Sequence, residues 1–75
     1  MKYRWHDGFE FTASDAAQVV AKLRADATWP ANSVDAYKRE LAFRSGEYSG
    51  TRVRFTCAEA MVDDLLESGM LERID

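Results

Sequence analysis

The stretch Tyr3-Arg4-Trp5-His6-Asp7-Gly8-Phe9-Glu10-Phe11 decides the fold, because it has the pattern of two antiparallel strands joined by a tight turn. Aromatic residues alternate with polar ones on both sides of the turn, which is typical of half-buried strands. A three-residue loop over residues 6–8 places all four aromatic rings on one face of the hairpin. The same register sets Arg4 opposite Glu10 on the other face, as a cross-strand pair of opposite charges. Two independent patterns therefore favour one hairpin register.

Apolar residues at helical spacing predict three helices after the hairpin. We expect the first helix to follow Thr12 as its N-cap. The second is expected to follow Ser33 as N-cap and to end at Gly46. The third is expected to follow Thr56 as N-cap and to end at Gly69. These boundaries rest on capping residues next to the apolar stripes.

Two further segments have the pattern of strands. Residues 51–55 alternate between polar and apolar side chains, and residues 70–74 can add a short edge strand. The order ββααβα(β) predicts a single α+β domain over residues 1–75. We expect a small antiparallel sheet of three to four strands, with three helices packed on one face.

Length and composition exclude several classes of protein. The chain has 75 residues, of which 47% are hydrophobic and 31% are charged, and these values indicate one globular domain. Its apolar runs are too short to span a membrane, and its first residues do not resemble a signal peptide. One cysteine, Cys57, and one histidine, His6, exclude an internal disulfide and a structural zinc site. We therefore expect a free-standing cytoplasmic protein without metal or cofactor.

The candidate catalytic groups lack partners. Cys57 lies near the start of the third predicted helix, where a thiolate is favoured, but no base is near it in the sequence pattern. Asp63 and Asp64 are adjacent on that helix, so their side chains point about 100° apart and do not converge on one ion. We expect a non-enzymatic protein with no catalytic residue.

The third predicted helix carries a row of acidic residues. Glu59, Asp63 and Glu67 follow one another at intervals of four, with Asp64 beside them, and the helix contains no lysine or arginine. Residues 57–75 carry a charge of −5, whereas residues 1–56 carry +2. One interpretation is a solvated face that keeps the protein soluble. The other is a docking surface for a basic partner, such as the nucleic-acid channel of another protein.

A basic surface is the rival candidate. Lys2, Arg4, Arg52 and Arg54 would share the outer face of the sheet if the strand at residues 51–55 paired with the first strand, and such a face can hold phosphates. The aromatic residues of the hairpin point into the core, so base stacking on this face is not favoured. A solvated face, with Arg4 held by Glu10, is the plain alternative.

Three aromatic residues have no assigned position in the core: Trp29, Phe43 and Tyr48. Most are expected to cover the edge of a small core. Two of them exposed together would indicate an interface, because aromatic side chains are common anchors of protein contacts. Such exposure would also leave open whether the chain is a monomer or a weak homodimer.

The stretch Phe11-Thr12-Ala13-Ser14-Asp15-Ala16-Ala17-Gln18-Val19-Val20-Ala21-Lys22-Leu23-Arg24, with the opening residues 3–8, resembles short reading frames of phages and other mobile elements of high-GC bacteria. Some proteins of this kind are anti-CRISPR inhibitors. The resemblance implies docking, without catalysis or cofactor, onto a CRISPR–Cas effector, often so that its DNA-binding surface is obstructed. Together with the small size, the charge asymmetry and the lack of catalytic groups, it leads us to expect an inhibitor that docks on a basic surface of a type I CRISPR–Cas surveillance complex in a bacterial host. The alternative is a small accessory or regulatory protein that binds nucleic acid through the basic face.

Overall fold

The computed structural model describes residues 1–27, 32–50 and 52–75. In this part of the chain, three strands and three helices follow one another as β1 (Lys2–Trp5), β2 (Glu10–Thr12), α1 (Ala16–Asp26), α2 (Val34–Ser49), α3 (Ala58–Ser68) and β3 (Leu71–Arg73). The strands form one antiparallel sheet in the order β2-β1-β3. The predicted α+β class and the three-stranded antiparallel sheet are confirmed.

The hairpin has the predicted register. Tyr3 faces Phe11 and Arg4 faces Glu10 across the strand pair. The loop closes through two backbone hydrogen bonds of 2.8 Å: the N–H of Trp5 donates to the carbonyl of Phe9, and the N–H of Gly8 donates to the carbonyl of Trp5. Gly8 has a φ of 99°, a left-handed conformation that glycine adopts without strain. The aromatic pattern and the turn residues therefore predicted the hairpin correctly.

The third strand of the sheet is not the one that the alternation at residues 51–55 predicts. Residues 52–55 are not a strand, and β3 occupies the second edge of β1, with Glu72 facing Arg4 and Leu71 facing Trp5. The backbone N–H of Arg54 donates to the carboxylate of Asp64 instead of to a neighbouring strand. The alternation at residues 52–55 reflects the burial of Val53 between exposed neighbours.

The helix α1 begins three residues later than predicted. Its N-cap is Asp15, whose Oδ1 accepts from the backbone N–H of Gln18 at 2.8 Å, whereas Thr12 belongs to β2. The backbone N–H of Ala13 still donates to the carbonyl of Met1, so the chain is held beside β1 at the predicted start of the helix. The prediction of Thr12 as the cap is therefore wrong.

Ser33 caps α2 as predicted, because its Oγ accepts from the backbone N–H of Ala36. The helix does not end at Gly46 but continues to Ser49, and Gly50 ends it with a φ of 72°. Glycine inside a helix costs only about 1 kcal/mol, so one glycine does not stop a helix when a second one follows at a better position. The longer helix brings Tyr48 next to the hairpin turn.

The N-cap of α3 is Cys57 and not Thr56, and its side chain makes no capping hydrogen bond. Gly69, with a φ of 85°, ends the helix as predicted. The helix α3 packs against α1, α2 and β3, and its apolar side contains the fully buried residues Met61 and Leu65. These residues belong to one core with the inward-facing side chains of the sheet, so α3 connects both layers of the fold.

Candidate functional site

The acidic face consists of Glu59, Asp63 and Glu67, which α3 presents on the side opposite the core. Residues four apart lie on the same side of a helix, and eight residues rise about 12 Å along the axis. All three side chains are exposed, and none makes an ion pair within 4 Å in the part of the chain that the structure describes. Glu67 also lies in the last turn, where a negative charge opposes the helix dipole. The structure thus presents a row of exposed carboxylates on a helix that the core holds in place.

Asp64 has a different environment from the acidic face. Its Oδ2 accepts from the Nε and from the backbone N–H of Arg54, each at 2.9 Å, and its Oδ1 accepts from the Nη2 of Arg54 at 3.0 Å. These hydrogen bonds hold the pKa of Asp64 below its ordinary value and raise the pKa of Arg54. Asp63 raises the pKa of Arg54 further. Asp64 therefore ties residues 52–55 to α3, and the predicted docking set is reduced to the three residues of the acidic face.

The predicted basic surface does not assemble. Lys2 and Arg4 do lie on the outer face of the sheet, but the carboxylates of Glu10 and Glu72 lie within 3.1–3.7 Å of them. The other two predicted cations, Arg52 and Arg54, lie in a segment outside the sheet. The condition under which all four would share one face, pairing of residues 51–55 with the first strand, is not met, because β3 takes that position beside β1. The outer sheet face carries charges of both signs.

A cleft of about 510 Å³ lies between the hairpin turn, the end of α1 and one side of α2. We call it the aromatic cleft, because Trp5, His6 and Tyr48 line it together. The ring centroids of Trp5 and His6 are 4.9 Å apart, and those of His6 and Tyr48 are 5.1 Å apart. Tyr48 is 74% exposed and stands at the mouth. Sequence reasoning missed this site, although Tyr37, Leu41, Ser45 and Tyr48 have the spacing of one helix side.

Polar groups lie among the rings of the aromatic cleft. Ser45 is 1% exposed, and its Oγ has no hydrogen-bond partner among the described residues. Burial raises the pKa of Tyr37 to about 12, an effect that the nearby Arg44 reduces and Asp26 reinforces. The phenol therefore keeps its proton at neutral pH. The cleft combines aromatic walls, hydroxyl groups and side chains of both charges.

A second aromatic surface lies on the other side of α2. Phe43 is 66% exposed and Phe55 is 42% exposed. The guanidinium carbon of Arg39 lies 6.0 Å from the centroid of the Phe55 ring, which is the geometry of a cation–π contact. The expectation that most of the three unassigned aromatic residues cover the edge of the core is wrong for Phe43 and Tyr48, because both are exposed and neither packs against the core cluster. Trp29 lies outside the described residues. Exposed aromatic and arginine side chains are typical of protein interfaces.

Across residues 1–27, 32–50 and 52–75, no group of three or more His, Cys, Asp or Glu side chains is arranged to hold a metal ion. Cys57 is exposed at the start of α3, and the ring contacts of His6 are with Trp5 and Tyr48. None of the helices in this part of the chain combines the length and the apolar character needed to cross a membrane. No protein-family model, no curated protein and no solved structure matches the chain.

Proposed function

We propose that the chain is a small non-enzymatic interaction protein, which docks through its acidic face onto a basic surface of another protein. The observation that carries this proposal is the exposed row of Glu59, Asp63 and Glu67, with no ion pair to a cation of the described chain. Like charges four residues apart on a helix destabilise it by a few tenths of a kcal/mol. Lysine or arginine side chains of a partner would turn this repulsion into attraction and would accelerate association.

The rigidity of α3 supports the same function. Met61 and Leu65 are fully buried on its inner side, so the helix cannot rotate without opening the core. The Arg54–Asp64 pair holds the preceding segment against the helix. The backbone that carries these carboxylates therefore loses little conformational freedom when a partner binds, which favours affinity.

The partner that we propose is a type I CRISPR–Cas surveillance complex, with the chain acting as an anti-CRISPR inhibitor that obstructs target DNA. The support consists of the resemblance to short phage reading frames and the local concentration of negative charge on α3. A surface that binds DNA is basic, so a row of carboxylates is complementary to it. The overall charge of −3 is mild, so the proposed mimicry of DNA is confined to one face.

Reversal of two charges on the acidic face tests the proposal. We expect the double variant Asp63→Lys/Glu67→Lys to bind a purified type I surveillance complex at least about tenfold more weakly, because each reversed contact costs on the order of 1 kcal/mol. Calorimetric titration measures the affinity, and a gel shift with target DNA measures the inhibition. Circular dichroism checks that the variant folds.

The matched control is Glu40→Lys/Glu47→Lys on α2, which changes the net charge equally at two exposed positions outside the acidic face. This control should keep the affinity within about twofold of the original chain. Equal losses in both variants would show that only net charge matters, and no loss in the first variant would refute the acidic face as the docking surface. Salt-sensitive binding of the chain alone to DNA or RNA would instead favour the nucleic-acid-binding alternative.

A further inference from the structure

The aromatic cleft has the features of a binding site that the acidic face does not explain. Its volume, about 510 Å³, lies within the range of pockets that hold a small ligand or a large side chain. Aromatic rings line it together with aliphatic and charged side chains, and Ser45 contributes a buried hydroxyl without a partner in the described part of the chain. A buried polar atom without a partner is costly, and a ligand that hydrogen-bonds to it removes that cost.

We infer that the aromatic cleft binds a guanidinium group, and that it receives an arginine side chain of the partner protein. A guanidinium is planar and stacks on an aromatic face, and Tyr48, which is 74% exposed beside the His6 ring, offers such a face. It carries only hydrogen-bond donors, and the oxygen of Ser45 and the carboxylate of Asp26 are acceptors that line the same cleft. Shape, ring faces and acceptors therefore fit one chemical group.

The charges around the cleft favour a cation over an anion. Asp7 and Asp26 line it with two carboxylates, whereas Arg44 is the single arginine or lysine of its described lining. Arg44 makes no ion pair within 4 Å in the described part of the chain. It therefore repels a bound guanidinium, but it would attract a bound phosphate or carboxylate. Removal of the Arg44 charge should therefore raise the affinity for a guanidinium and lower the affinity for a phosphate or a carboxylate.

This inference rests on the proposed function in one respect, because it names a side chain that a basic partner would supply. Its test needs no partner, however, so the two ideas can fail separately. If the cleft does not bind a guanidinium while Asp63→Lys/Glu67→Lys still weakens docking, only the inference about the cleft is refuted. If the cleft binds the group but the acidic face has no effect on docking, only the proposed surface is wrong.

The test is an NMR titration at pH 8 with N-acetyl-L-arginine N-methylamide. His6 is the only histidine of the chain, so the signals of its ring protons identify the cleft directly. We expect these signals to shift and to saturate with the arginine probe. The citrulline analogue, which has nearly the same shape without the charge, should bind at least about tenfold more weakly.

Variants of the cleft complete the test. Asp26→Asn should weaken the arginine probe about fivefold or more, because it removes the carboxylate at an exposed position with little change of shape. Ser45→Ala should weaken it about threefold, since one hydrogen bond is lost. Arg44→Gln should strengthen the probe about threefold, because a like charge is removed.

Three results would overturn the inference. The first is the absence of a saturable shift with the arginine probe, and the second is equal binding of the citrulline analogue. The third is saturable binding of inorganic phosphate by the original chain that Arg44→Gln abolishes, which would define an anion site. The first two comparisons use the original chain, so they stand even if a variant does not fold.

Discussion

Tyr37 links the stability of the fold to pH through one buried hydroxyl. Its side chain belongs to the core and also lines the aromatic cleft, so the phenol is shielded from water on most sides. Desolvation disfavours the phenolate, which is why the pKa rises from 10.0 to about 12. Tyr37 therefore packs in the core and also supplies a neutral hydroxyl donor to the aromatic cleft.

The raised pKa of Tyr37 predicts a loss of stability at alkaline pH. Below pH 10 the tyrosine is protonated in both states, so this residue adds no pH dependence. Between pH 10 and 12 the unfolded state releases the proton first, and the free energy of unfolding falls by at most about 1.4 kcal/mol per pH unit. Tyr37→Phe should remove this component from urea unfolding curves measured at pH 9 and pH 11.

Tyr48→Phe is the control for that measurement, because it removes a tyrosine hydroxyl from a side chain that is 74% exposed and outside the core. It should keep the alkaline loss of stability. A Tyr37→Phe chain that loses as much stability as the original between the two pH values would contradict the burial argument.

At the scale of elements, the Arg54–Asp64 pair holds the segment that the sequence predicted to be a strand. Residues 52–55 contact the core through the side chain of Val53. Arg54 fixes the segment on α3 by three hydrogen bonds to the carboxylate of Asp64. A side chain thus satisfies a backbone N–H that a sheet would otherwise have bound. The connection between α2 and α3 is held without joining the sheet.

Arg54→Gln tests this link through the pKa of Asp64. We expect that pKa to rise toward its ordinary value, because the guanidinium that stabilises the carboxylate is removed. In the original chain the contribution of the pair is present at neutral pH and is lost as the pH falls through the lowered pKa. NMR titration of the Asp64 carboxyl carbon measures the shift.

The control is Arg52→Gln, which removes an exposed charge two residues away and should leave the titration of Asp64 unchanged. Faster hydrogen exchange of the backbone amide of residue 54 in the Arg54→Gln chain would report loosening of the segment. An unchanged titration curve would mean that the backbone N–H of residue 54 alone sets the pKa.

The sequence predicted the elements that depend on local signals. The hairpin register follows from alternating rings and a turn glycine, and the caps Ser33 and Gly69 act within their own helices. Period-two alternation at residues 51–55 indicates one buried side chain between exposed ones, but it does not identify the partner strand. The competing segment, Leu71–Arg73, is distant in sequence and short, so its pairing required the tertiary structure.

The candidate sites were likewise predictable only where local sequence signals place the residues. Helical spacing alone places Glu59, Asp63 and Glu67 on one exposed face. The partner of Asp64 was not predictable, because Arg54 lies ten residues earlier, beyond the start of the helix. The aromatic cleft joins residues from a turn and two helices, and no sequence pattern indicates that these parts meet.

At the scale of the whole molecule, stability depends on α3. It packs against both other helices and against β3. A domain of this length is stabilised by only about 4–11 kcal/mol. The surface that we propose for docking therefore lies on a helix on which the stability of the fold depends.

Leu65→Ala tests the dependence on α3. Leu65 is fully buried, so the truncation should lower the free energy of unfolding by about 2–5 kcal/mol, which is a large part of the total. Leu66→Ala, on the partly buried flank of the same helix, should cost about 1–2 kcal/mol, since less surface is uncovered. Urea unfolding measures both, and equal losses would contradict the placement of the core.

The central strand of the sheet has neighbours from opposite ends of the sequence, since the contact between Arg4 and Glu72 spans 68 residues. During synthesis, β1 and β2 leave the ribosome first, but an isolated hairpin is marginally stable in water. The second edge of β1 stays unpaired until β3 has emerged. The native sheet thus forms only after β3 has emerged, and ribosome-bound chains that lack β3 expose an unpaired strand edge to chaperones and proteases.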